Sequence, residues 1–127
     1  MKRIGFITTN KAFAQSLAAS IKNCPDLGFE TFLLLNLDQA ALDAEIMKID
    51  IAIVDVIAGA SRETSKIMRI CEDLRQGLTQ CRILMLVPPE YSEGRDTTMI
   101  AVKNKIVDDY LFYDASLDYM LTKLLYL

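Results

Sequence analysis

The sequence predicts an α/β domain built on a doubly wound, five-stranded parallel sheet with helices on both faces. Three observations carry this. Short runs rich in Ile, Val and Phe alternate with longer stretches whose apolar residues recur every three or four positions. The short runs, Ile51-Ala52-Ile53-Val54 above all, are continuously apolar, which is the pattern of strands covered on both sides. Five such strand–helix units fit within 127 residues, the length of one domain.

The first strand is expected over Ile4 to Thr8. Asn10 then caps a helix with Phe13, Leu17 and Ile21 on one face. Cys24-Pro25-Asp26-Leu27-Gly28 turns the chain into a second strand, Phe29 to Leu35. Asp38 is expected to cap the second helix, with Leu42, Ile46 and Ile49 as its apolar face. Ile51 to Asp55 is the third strand, apolar until its last residue. Ser61 and Thr64 open a helix that turns Ile67, Ile70, Cys71 and Leu74 inward and ends at Gly77. The fourth strand, Ile83 to Val87, is stopped by Pro88-Pro89. A fourth helix covers Ser92 to Lys105, a fifth strand Tyr110 to Tyr113, and Asp114 or Ser116 caps the last helix. Right-handed crossovers between these strands give the flavodoxin-like order 2-1-3-4-5. The crevice of such a sheet lies beyond the carboxyl ends of strands one and three. That sets Thr8, Thr9 and Asn10 opposite Asp55, Val56 and Ile57.

Composition removes several functions. Net charge is −3 and Lys and Arg are scattered, so the chain offers no field for nucleic acid or an anionic membrane surface. Without histidine there is no Ser-His-Asp or Cys-His catalysis and no histidine-ligated metal or cobalamin. P-loop and GxGxxG turns are absent. Cys24, Cys71 and Cys81 are odd in number and lack metal or redox spacing, so they are read as reduced thiols. The apolar run after Met1-Lys2-Arg3 is too short for a secretory signal, and no apolar stretch reaches about 18 residues. A cytoplasmic location is the expectation.

Asp50-Ile51-Ala52-Ile53-Val54-Asp55, followed by Val56-Ile57-Ala58-Gly59, resembles the segment of response-regulator receiver domains that carries the phosphoacceptor aspartate. Val107-Asp108-Asp109-Tyr110-Leu111 resembles the family's approach to strand five, and the likeness runs over nearly the whole chain. The resemblance implies a bacterial two-component signalling domain with Asp55 in the acceptor position. It also implies an acidic pair after strand one, Ser or Thr at the end of strand four, and Lys-Pro after strand five. Here those places hold Thr8 and Thr9 (with Asn10 next), Val87, and Tyr113-Asp114. A carboxylate attacking a phosphoryl group needs Mg²⁺ and a cationic side chain to neutralise the transferring oxygens. Mg²⁺ in turn needs one or two well-placed carboxylates, for which threonine hydroxyls are poor substitutes.

The expectation is therefore a pseudo-receiver: a single non-catalytic regulatory domain over residues 1–127, of the kind that stands at the N-terminus of longer proteins. No cofactor is expected, and weak Mg²⁺ at most. Three readings of Asp55 stay open: a structural residue that accepts hydrogen bonds from Thr8 and Thr9 or caps the following turn, a relic or active phosphoacceptor, or a catalytic acid or base of an unrelated enzyme. A small-ligand-binding flavodoxin-like domain is the other alternative for the whole chain. The last helix is apolar on more than one face, through Leu117, Tyr119, Met120, Leu121, Leu124, Leu125, Tyr126 and Leu127. That implies a protein partner, a downstream domain or a second copy, and the family resemblance implies that it docks on helix four, strand five and helix five. Tyr110, Tyr119, Leu124 and Tyr126, with Tyr113, are the candidate contact residues. Glu72, Asp73 and Arg75 read as a solvated helix face.

Overall fold

The computed structural model describes residues 1–56 and 64–127. Its elements in chain order are β1 (Lys2–Ile7), α1 (Lys11–Lys22), a short 3₁₀ turn (Pro25–Leu27), β2 (Phe29–Leu34), α2 (Ala40–Met47), β3 (Ile51–Asp55), α3 (Thr64–Gly77), β4 (Arg82–Val87), α4 (Ser92–Lys103), β5 (Asp109–Phe112) and α5 (Leu117–Tyr126). The five strands form one sheet in the order β2-β1-β3-β4-β5, and every pairing is parallel. This is the predicted architecture and order.

Strand side chains alternate between two cores. Ile4, Phe6, Ile51, Ile53, Leu84, Leu86 and Leu111 face α1 and α5 and pack with Ala14, Ile21, Met120 and Leu124. Ile7, Ala52, Val54, Ile83, Met85 and Val87 face the other way and pack with Ala40 and Ala44 of α2, with Ile67, Ile70, Cys71 and Leu74 of α3, and with Ala101 of α4. Burial on both faces is why β3 is apolar at each position before Asp55. The 3₁₀ turn ends at Gly28, whose φ of 71° is the left-handed conformation that glycine adopts without cost.

Two expectations fail at α2. Leu42 and Ile46 point to solvent, 54% and 68% exposed, and the inner face is Ala40 and Ala44. Small side chains let this helix lie close to its neighbours, and the larger residues are left on the outside. Asp38 is not the cap either. Asn36 accepts from the Asp38 N–H at 3.1 Å, and its carbonyl accepts from Gln39, so the loop closes on itself and the helix begins only at Ala40. The Asp38 carboxylate pairs with Lys66 instead, at 2.9 Å. Ser61 lies outside the described residues. At the last helix Ser116 is the cap, accepting from the Tyr119 N–H at 3.1 Å, while Asp114 stands outside it.

Arg75 is not a solvated residue. Its guanidinium donates to the carbonyls of Ile106 and Cys81 and to Asp108 Oδ2 at 2.9 Å. Asp108 also accepts from the Ile83 N–H and from Arg82. Burial works against the Asp108 carboxylate, but the hydrogen bonds and the charge of Arg75 outweigh it and hold its pKa below the usual value. This cluster ties α3 to the entrance of β5 at the amino end of the sheet. The opposite rim is left to the candidate site.

Candidate functional site

Asp55 closes β3 at the carboxyl rim, and despite its charge it is only 3% exposed. A carboxylate buried to this degree needs hydrogen-bond donors. Thr8, the first residue after β1, supplies one: its hydroxyl donates to Asp55 Oδ2 at 2.8 Å. Tyr113, the first residue after β5, supplies another, its hydroxyl donating to Asp55 Oδ1. Parallel register explains the convergence. Each strand ends at this rim, and Tyr113 extends the ladder by one bond, from its N–H to the Val87 carbonyl at 3.1 Å.

Tyr113 is fixed from the other side by Phe13 in the first turn of α1. The two rings stack with centroids 5.3 Å apart and planes 24° from parallel. Burial, then the hydrogen bond to Asp55, then the charge of that carboxylate all push the Tyr113 hydroxyl pKa well above the ordinary tyrosine range. Tyr113 is thus held as a neutral donor. Thr8 is fixed as well, since its oxygen accepts from the Asn10 N–H at 3.1 Å, while Asn10 Oδ1 caps α1 by accepting from the Phe13 N–H at 3.0 Å.

Of the six pocket residues singled out in the sequence, Asp55, Thr8 and Tyr113 come into direct contact. Asn10 stands one bond behind Thr8, Thr9 is exposed at the rim, and Val87 is buried beneath without a hydroxyl to offer. The spacing of Phe13 with Leu17 and Ile21 predicts only a core residue. Its sequence signal is an aromatic in the first turn after the Thr8-Thr9-Asn10 loop, which faces whatever follows β5. Ile57 lies outside the described residues. Among the described residues no three Cys, Asp or Glu side chains converge in a way that could hold a metal ion. Among the described residues, the donors brought to this rim are one carboxylate with hydroxyl neighbours, a set that fits Mg²⁺ poorly.

The candidate contact residues divide. Tyr119 is 51% and Tyr126 84% exposed, with Leu117 and Leu125 exposed beside them. Tyr110 is half-buried, edge-on to Phe112 and beneath Lys123, which also lies over Tyr119. Leu124 is a correction: it is fully buried, because Met120 and Leu124, four apart, form the stripe that α5 turns toward the sheet. No described helix is long and apolar enough to cross a membrane.

A doubly wound parallel sheet with a buried aspartate at the carboxyl end of its third strand is the arrangement that the resemblance in the sequence implies. No protein-family model matches the sequence, and no curated relative does. Solved structures do. A response regulator protein from Burkholderia pseudomallei, solved with a phosphorylated aspartic acid, a calcium ion and citrate, superposes with a TM-score of 0.75 at 24% identity over 96% of this chain. The chain spans 65% of that protein's length. A two-component response regulator from Clostridium difficile gives 0.74 at 20% identity, covering 98% of this chain and 93% of its own. A structure described as adenylate cyclase from Rhodopirellula baltica gives 0.78 at 15% identity, covering 97% and 84%. The fold of this chain is that of response-regulator receiver domains.

Proposed function

We propose that this chain is a pseudo-receiver: a regulatory domain in which Asp55 is an internal hydrogen-bond acceptor and not a phosphoacceptor. The observation that carries this reading is the engagement of both carboxylate oxygens by hydroxyls of its own chain, Thr8 on one and Tyr113 on the other. An incoming phosphoryl group needs an in-line approach to one of those oxygens and a cation on its own. At this rim Tyr113 stands where the family resemblance places the lysine, and Thr8 and Thr9 stand where it places the acidic pair. The output, on this reading, is non-catalytic. The exposed side of α5, with Tyr119 and Tyr126, docks a partner protein, a further domain of a longer chain or a second copy, in the cytoplasm.

The test is chemical. The intact protein, incubated with acetyl phosphate and Mg²⁺, is expected to keep its mass. A phosphate adduct that forms on the wild type and is lost in Asp55→Asn overturns the reading in favour of an active phosphoacceptor.

A further inference from the structure

The face of the sheet that carries α1 and α5 is not closed where the two helices part. A cavity of about 180 Å³ opens there. Its floor is Leu86 and Leu111, its sides are Leu17 of α1 and Met120 of α5, and the stacked rings of Phe13 and Tyr113 line its upper end. Leu86, Leu111 and Met120 are at most 4% exposed, so the floor is core surface seen through the opening. Among the described residues no charged side chain lines it. The two serines at its margin already have local work: Ser20 donates to the Ser16 carbonyl, and Ser116 caps α5.

We propose that this cavity binds a small, flat, uncharged aromatic molecule, and that the bound molecule holds Tyr113 on Asp55. The second half rests on the pseudo-receiver reading above. Size sets the first limit: a closed apolar cavity of about 150 Å³ accepts benzene, so this open one of about 180 Å³ has room for one ring or two fused rings. Charge sets the second, because an ion entering this lining loses its hydration and gains no partner. The aromatic wall sets the third. A flat ring against Phe13 or Tyr113 can gain an offset or edge-to-face aromatic contact, where an aliphatic chain of equal size gains only area. Tyr113 joins the cavity to the rim, since its side chain lines the cavity while its hydroxyl donates to Asp55. A ligand packed against that side chain takes up cavity space beside Tyr113 and so favours the position in which its hydroxyl donates to Asp55.

The experiment is a titration of the full chain with indole, followed by amide chemical shifts. Saturable shifts confined to α1, β4, β5 and α5 are expected, with a Kd at or below about 1 mM, a range that nine non-hydrogen atoms allow. Benzoate, of similar size but charged, should bind at least tenfold more weakly. Filling the cavity by Ser20→Phe or, if that variant folds poorly, Leu17→Phe should weaken indole at least tenfold. No saturation by 5 mM, equal binding of benzoate, or indifference to both filled variants overturns the site. Asp55→Asn, which loosens Tyr113, should weaken indole at least threefold, and an unchanged Kd there refutes the link to Tyr113. Because these readouts are independent of the acetyl phosphate reaction, failure of the cavity and failure of the pseudo-receiver reading are told apart.

Discussion

Removing one oxygen from Tyr113 isolates the contact on which the site depends. Tyr113→Phe keeps the ring, its stack on Phe13 and its cavity wall, and deletes only the donor to Asp55. A hydrogen bond to a charged group contributes about 1.5–3 kcal/mol, and because Tyr113 is half-buried the lower end applies. Unfolding entropy of about 2.1 cal/mol/K per residue converts 1.5 kcal/mol in a chain of 127 residues to a fall of about 5–6 °C in Tm. In an Asp55→Asn background the same change breaks only a neutral bond, for which about 0.5 kcal/mol is expected. The double-mutant cycle, measured by urea denaturation, should therefore show a coupling of about 1 kcal/mol. Additivity to within about 0.3–0.5 kcal/mol would mean that the hydroxyl faces water in solution and that Asp55 is not held by Tyr113, which refutes the pseudo-receiver reading. The pH dependence gives a second reading of the same bond. The folded pKa of Tyr113 is the raised one, so its contribution is whole below the unfolded tyrosine value of about 10 and is lost as pH climbs from there. Wild type should lose stability above pH 10 more steeply than Tyr113→Phe.

Three further outcomes follow from the fold. Arg75→Met keeps the apolar stem but leaves Asp108 with only Ile83 and Arg82 as donors and takes the guanidinium from the carbonyls of Ile106 and Cys81, and should cost about 2–3 kcal/mol in a urea titration. Gly94→Ala should destabilise the domain by about 1–2 kcal/mol, although alanine favours helix, because the new methyl would run into the Tyr91 ring; adding Tyr91→Ala should make the pair cost less than the sum of its parts. Burial pushes the thiol of Cys71 up to about 12 and that of Cys81 to about 11, so N-ethylmaleimide at pH 7.5 should add promptly to Cys24 alone, with the other two reacting only on unfolding.

What the sequence discloses depends on how local its cause is. β3 is legible to the residue, because a fully covered strand must be apolar throughout and a carboxylate marks its end. β1 begins earlier than its apolar run, at Lys2, because pairing with Phe29 on the neighbouring strand decides it. The inner faces of α1 and α3 follow the large apolar residues, whereas α2 inverts that rule by packing on alanines. Nothing local distinguishes Leu42 as an outward residue; the close approach of α2 to its neighbours does. Arg75 likewise looks like any helix charge until the chain returns, thirty-three residues later, to place Asp108 beside it. At the rim, Asp55 and Thr8 are legible because the fold order sets them side by side. Tyr113 is legible only as a missing lysine, and its hydroxyl acquires meaning when Phe13 turns the ring toward Asp55.

If the rim is a receiver site altered by substitution at Thr8, Thr9 and Tyr113, its lost chemistry should return in a definite order. Thr8→Asp with Thr9→Asp places two carboxylates beside Asp55, one of them at a position only 3% exposed. Without metal, like charges so close repel, and the variant should unfold more easily than wild type. Mg²⁺ should then reverse the loss: at a hundred times its Kd, binding to the folded state alone contributes about 2.7 kcal/mol. Wild type, with hydroxyls in those places, should show no Mg²⁺-dependent shift in Tm. Tyr113→Lys supplies the cation but no metal ligand, so by itself it should yield no adduct with acetyl phosphate; combined with the two aspartates it should. An adduct from Tyr113→Lys alone would show that the tyrosine was the sole barrier. Failure of the triple variant to bind Mg²⁺, while folded, would show that Asp55 is not aimed as an acceptor needs to be.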